Sequence, residues 1–191
     1  MITQKSNPIF SPQAVQAALV VIDMQEKLIP AMAAGDATSF LSNTAILIQG
    51  CQVLNLPILV TEQYPKGLGK THSNLRPLLE NSPFYEKLSF SCFRQPAFRL
   101  ELERLHIRDI LICGIEAHVC VLQTTLDLLE NDYRVFAAAD AMSSRSSFNY
   151  HTGLSLMRDA GAVIGSTETF LFQMLEEAGT DRFKQISKLV K

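Results

Sequence analysis

The sequence predicts a three-layer α/β/α fold built on a doubly wound, mainly parallel, Rossmann-like sheet, and three observations lead there. Short apolar runs without polar alternation read as strands buried on both faces. Longer segments with helical spacing separate them. Regular strand–helix alternation with right-handed crossovers then covers a parallel sheet on both sides.

The first strand is Ala17 to Ile22, continuous and rich in Val, Ile and Leu. It ends in the turn Ile22-Asp23-Met24-Gln25, where a dinucleotide-binding fold places glycines. With no GxGxxG there, and a carboxylate that would repel a pyrophosphate, NAD binding is disfavoured. Thr38 to Leu54 is the first helix, with Leu41, Ala45, Ile48 and Val53 at helical intervals. Pro57 to Val60 is the second strand, and the irregular stretch Glu62 to Ser82 leaves its carboxyl end. A loop of that length is functional or mobile, so it is expected to roof a site. Asp109 to Cys113 is the next strand, followed across the turn Gly114 to Cys120 by a helix, Val119 to Leu129. Arg134 to Ala139 and the weaker Ala162 to Ile164 complete the strands. Helices are expected over His151 to Ala160 and Glu168 to Leu175, each near small polar capping residues.

The chain of 191 residues suits a single domain spanning 1–191, and 47% hydrophobic against 19% charged residues suits a full core. A net charge of -2 gives no electrostatic reason to bind nucleic acid or anionic membrane. Lys184, Lys188 and Lys191 read as one solvated helical face. Residues 1–8 show no signal peptide, and no apolar run reaches the roughly 20 residues that span a bilayer. Cys51, Cys92, Cys113 and Cys120 lack CxxC spacing, which speaks against a disulfide framework or zinc. A reducing, cytoplasmic location is expected.

Open parallel sheets hold ligands at the strand carboxyl ends, where strand order reverses. In the common order 3-2-1-4-5 that point lies between the first and fourth strands. Asp23 ends the first, and Cys120 follows the strand ending at Cys113. At a helix start, Cys120 is expected to have its thiol pKa lowered and amides nearby to hold an oxyanion. A lone cysteine is more often a small buried hydrophobe, which suits Cys51, Cys92 and Cys113. A lone lysine such as Lys87 is usually a snorkelling surface charge, although it lies between Phe84 and Phe90. His118 lies two positions from Cys120 and would face nearly the opposite way on a helix. It is assigned no catalytic role, only a ligand-lining one.

Three stretches in this order, Ala-Leu-Val-Val-Ile-Asp23-Met-Gln, then Glu86-Lys87 ahead of Ser89-Phe90, then Cys113-Gly114-Ile-Glu-Ala-His-Val-Cys120, resemble the isochorismatase-like cysteine hydrolase family. The resemblance runs from about Ala17 to Phe172, and Thr61 to Gly69 and Asp140 to Arg145 also look like family segments. It implies a Cys-Asp-Lys triad: Cys120 as nucleophile, Asp23 as general base, and Lys87 holding Asp23 ionised. It also implies a cis peptide between Ile115 and Glu116, with the amides of Glu116 and Cys120 forming an oxyanion hole. Relatives commonly assemble, so a homo-oligomer is expected.

The sequence departs from two branches of that family. Nicotinamidases carry Asp-x-His and a later His around a metal, whereas Glu62-Gln63-Tyr64 lacks the near histidine and leaves only His72. No catalytic metal and no cofactor are expected. Isochorismatases proper generally lack the cysteine, so Cys120 argues against vinyl-ether cleavage. The expected substrate is a small amide-like molecule attacked through a thioester, with Gln25, Tyr64, Phe90, Glu116 and His118 near it. The competing reading is a catalytically silent scaffold that has kept the site.

Overall fold

A computed structural model describes residues 9–32 and 37–191. Six strands form one sheet: β1 (Ala17–Ile22), β2 (Ile58–Gln63), β3 (Phe84–Lys87), β4 (Asp109–Ile115), β5 (Arg134–Ser143) and β6 (Val163–Gly165). Their order is β3-β2-β1-β4-β5-β6, and every pairing is parallel. The doubly wound architecture expected from the sequence is therefore present, with the reversal between β1 and β4.

The helices are α1 (Ala37–Val53), α2 (Pro65–Leu68), α3 (Pro96–Arg104), α4 (Leu122–Glu130), α5 (Ser147–Asp159), α6 (Thr167–Leu175) and α7 (Asp181–Leu189). Residues of β1 alternate between the two cores. Leu19 and Val21 pack with Leu47, Ile48 and Phe170 on one side. Ala18, Val20 and Ile22 pack with Phe98, Leu128 and Met157 on the other. All six β1 residues are buried, which is why this strand reads as an unbroken apolar run.

Three elements differ from expectation, each for a physical reason. Strand β3 was missed because an edge strand needs no apolar run: Phe-Tyr-Glu-Lys pairs on one side only. Helix α3 is amphipathic but mostly polar. It starts at Pro96, where the Gln95 side chain accepts from Ala97 N and Phe98 N, and buries only Phe98 and Leu102. Helix α5 begins a turn earlier than expected because the Ser146 hydroxyl caps it, accepting from Asn149 N. The stretch after β2 is also more ordered than a loop. It contains α2, an isolated antiparallel bridge from Gln25 to Thr71, and a turn of 3-10 helix at Arg76–Leu79. Among the described residues, no helix is long and apolar enough to cross a membrane.

Candidate active site

Asp23 closes β1 in a left-handed conformation (φ 51°), with its side chain fully enclosed. Its backbone N–H donates to the Thr61 carbonyl at 3.1 Å, continuing the sheet across to β2. Lys87 ends β3 with its ammonium also buried, 2.6 Å from Asp23 Oδ2. That Nζ also faces Gln63 Oε1 at 2.8 Å, Phe90 O at 3.0 Å and Ser89 O at 3.3 Å. Four acceptors around three N–H protons leave this ammonium fully satisfied. The other carboxylate oxygen, Asp23 Oδ1, accepts from Thr61 Oγ1 at 2.9 Å.

Cys120 reaches the same point from the opposite strand. After β4, residues Ala117–Val121 form a single π turn that leads into α4. Turns of this kind often occur at functional sites. The Cys120 thiol is buried there, close enough to Asp23 for the carboxylate charge to act on it. The structure thus brings together all three side chains that the sequence singled out, from the ends of β1 and β3 and the turn after β4.

Two glycines permit this closeness. A Cβ on Gly114 (φ 124°) would lie 2.1 Å from the Ile22 carbonyl oxygen, beside Asp23. One on Gly153 of α5 would lie 2.9 Å from three backbone atoms, Ala117 C, His118 N and His118 Cα. Only hydrogen lets α5 press on the turn that carries Cys120.

The electrostatics correct one expectation. Burial, then the Asp23 carboxylate, push the Cys120 thiol well above its ordinary value, and Lys87 only partly opposes them. A helix start does not offset loss of water together with an adjacent negative charge. At rest Cys120 is a neutral thiol, not the thiolate expected from its position. Burial likewise raises the Asp23 carboxyl, against the pull of Lys87 and of hydrogen bonds from Lys87, Cys120 and Thr61. For Lys87, burial alone would favour the neutral amine. Asp23 and the nearby Cys92 and Cys120 outweigh it, and the ammonium is held.

The remaining expected residues are placed as follows. The peptide from Ile115 to Glu116 is cis. The Glu116 carbonyl accepts from Val119 N and Val121 N at 3.0 and 3.2 Å. Its carboxylate holds Arg145 through the N–H of that residue and its Nε. His118 is half-buried, with Nδ1 3.1 Å from Ser144 Oγ, so one ring nitrogen is already engaged. Tyr64 is half exposed with φ 37° and shares a pocket with Pro65, Lys66, Glu86, Lys87 and Leu88. The Phe90 side chain is exposed, while its carbonyl faces Lys87.

The Gln25 side chain is committed to the protein backbone. It is fully buried, and its amide is spent on backbone: Nε2 donates to Gln63 O at 3.0 Å and Gly69 O at 2.6 Å. Its Oε1 accepts from Gln63 N at 2.7 Å. Gln25 therefore braces the segment after β2. Glu62 is similarly committed, accepting from Thr71 N at 2.7 Å, Thr71 Oγ1 at 2.8 Å and Arg76 at 3.4 Å. His72 Nδ1 accepts from Asn74 N at 3.2 Å.

Thr61 and Gln63 were missed by the sequence reading, which ended the second strand at Val60. The strand runs to Gln63, with Thr61 beside Ile22 and Gln63 beside Lys87 in register. Extending the strand one residue past the level of Asp23 is the signal that finds them.

Residues 17–169 match the isochorismatase domain model. The chain is 41% identical to the secreted isochorismatase effector Isc1 of Phytophthora sojae over 152 residues, 78% of this chain and 72% of the relative. It is 38% identical to the zebrafish (Danio rerio) isochorismatase domain-containing protein 2 over 174 residues, 91% of this chain and 86% of the relative. A solved structure described as the MAR1 ribonuclease of Caenorhabditis elegans superposes with a TM-score of 0.87 at 36% identity, covering 94% and 92% of the two chains. The strand-end site, the matched domain and these relatives together assign the chain to the isochorismatase family of hydrolases.

Proposed function

We propose that this family member is a thiol hydrolase of small amide-like C–N bonds, using Cys120, Asp23 and Lys87. The observation that carries the reading is the buried Asp23, paired with Lys87 at 2.6 Å and close enough to the Cys120 thiol to act on its proton. A carboxylate beside a neutral thiol serves as a general base. The Cys120 Sγ attacks the substrate carbonyl carbon as Asp23 takes the thiol proton. The oxygen that becomes negative is held by the amides of Glu116 and Cys120 at the entry to the turn. Asp23 then returns the proton to the leaving amine as the C–N bond breaks. A water, deprotonated by Asp23, attacks the thioester, and collapse releases the acid and restores the thiol. Lys87 stays an ammonium throughout and stabilises the charged form of Asp23. Glu62 is occupied by Thr71 and Arg76, so this chemistry is assigned to the thiol without a metal.

The test is a turnover screen of small amides, ureides and carbamates, with wild type and Cys120→Ala side by side. A short RNA is included because of the name carried by the C. elegans relative. Release of an amine or ammonia by wild type alone is expected. Equal turnover by Cys120→Ala would overturn the thiol mechanism, and cysteine-independent RNA cleavage would replace the substrate class.

A further inference from the structure

Cys92 is a buried thiol that the reaction above leaves unused, yet hydrogen bonds connect it to both reacting residues. Thr61, Cys92 and Thr124 are all fully enclosed. The Thr61 hydroxyl has one proton, and it goes to Asp23 Oδ1 at 2.9 Å. In the 3.4 Å contact between Thr61 Oγ1 and Cys92 Sγ, the thiol is therefore the donor. Burial pushes the Cys92 thiol up to about 11, so it keeps the proton that this bond needs. On the other side, Cys92 N donates to Thr124 Oγ1 at 3.0 Å. The Thr124 hydroxyl donates in turn to the Cys120 carbonyl at 2.7 Å. The chain thus runs from Asp23 Oδ1 to the backbone of Cys120, whose thiol feels the Asp23 charge.

We propose that Thr61, Cys92 and Thr124 are positioning residues, a ring of four hydrogen bonds from Asp23 round to the backbone of Cys120 that fixes the base against the nucleophile. The inference rests on the thiol-hydrolase reading. With Lys87 on one oxygen and Thr61 on the other, the Asp23 carboxylate cannot rotate, so one defined face meets the Cys120 thiol. The ring joins the end of β1, β2, the segment after β3, and the turn before α4. Thr61 bonds to the base itself, while Cys92 and Thr124 contact neither its carboxylate nor the Cys120 sulfur. They act through Asp23 and through the backbone of Cys120.

The titratable groups facing Asp23 are Lys87, Cys120 and, behind Thr61, Cys92. Thr61→Val keeps the side-chain shape but removes both the bond to Asp23 and the acceptor of the Cys92 thiol, leaving Lys87 in place. The experiment measures the rate of iodoacetamide labelling of Cys120 against pH, read by mass spectrometry, in wild type, Thr61→Val and Thr61→Ser. Loss of a hydrogen bond to the carboxylate moves the acid limb of the profile upward by about 1–2 pH units in Thr61→Val. Thr61→Ser restores the hydroxyl and returns the limb towards wild type. An unmoved limb in Thr61→Val, or a Ser variant displaced as far as Val, overturns the ring. If Thr61→Val does not fold, Cys92→Ala reads the same chain, with a smaller upward move expected and an unmoved limb overturning it. An unmoved limb alongside Cys120-dependent turnover defeats the ring alone. Full turnover by Cys120→Ala defeats the hydrolase reading instead.

Discussion

Replacing Lys87 with Met removes the counter-ion from Asp23 while keeping most of the buried volume. The pair is enclosed on both sides at 2.6 Å. Breaking such a pair by removing one partner costs about 3–5 kcal/mol. For a chain of this size each kcal/mol lowers Tm by about 2–4 °C, so a fall of about 6–20 °C is expected at pH 7–8. The sign of the pH dependence follows from the same pair. The folded Asp23 carboxyl is already raised by burial, so its ionised form costs stability once the pH passes its ordinary value. Without Lys87 that cost grows, and the variant gains relative stability as the pH falls and Asp23 takes a proton. The Lys87 ammonium is held above its ordinary value, so what it contributes to wild type is fully present below that value. The Tm gap should therefore be wide at pH 8 and narrow towards pH 5. The acid limb of Cys120 labelling should move upward by about 1–3 pH units, the usual effect of losing a cation at this range. Calorimetry across pH and labelling by mass spectrometry read the two effects. A Tm gap that stays constant with pH, together with an unmoved limb, would refute the coupling of Lys87 to Asp23.

Two further substitutions test how the site is held. Gly153→Ala places a methyl 2.9 Å from backbone atoms of the nucleophile turn, which cannot move aside as a side chain can. Turnover of a substrate found in the screen should fall by about tenfold or more through kcat, and wild-type kcat in a folded Gly153→Ala would show that α5 does not set the turn. Gln25→Met removes three hydrogen bonds to the backbone of the segment after β2 and strands their partners, at about 1–3 kcal/mol for each buried group left unpaired. Limited proteolysis should then cut between residues 64 and 70, whereas an unchanged digestion pattern would return Gln25 to the role of a ligand contact.

The positions of Asp23, Lys87 and Cys120 were legible because they follow rules of chain grammar. One carboxylate ends an apolar strand, one cysteine follows another strand after a glycine turn, and the lysine stands in a family motif between them. The bracing role of Gln25 was missed because a polar residue beside Asp23 looks like a ligand contact from sequence. Its partners are backbone groups 38 and 44 positions away, which no local pattern announces. The state of the Cys120 thiol was misread for a related reason. A helix start is visible in sequence, but burial and a neighbouring charge are properties of the folded interior. Strand β3 escaped because an edge strand needs no apolar signature, and with it the register that places Gln63 beside Lys87 was lost.

The neutral thiol of Cys120 has a bearing on how the protein withstands oxidants. Thiolate sulfur attacks the peroxide oxygen, and a cysteine kept protonated beside a carboxylate offers little of it. Its nucleophilicity rises only as a neighbouring base takes that proton. A solution of the unliganded protein should therefore tolerate hydrogen peroxide that would convert an exposed low-pKa cysteine to its sulfenic acid. Burial and the neighbouring carboxylate charge thus shield this sulfur by the same effects that hold its proton.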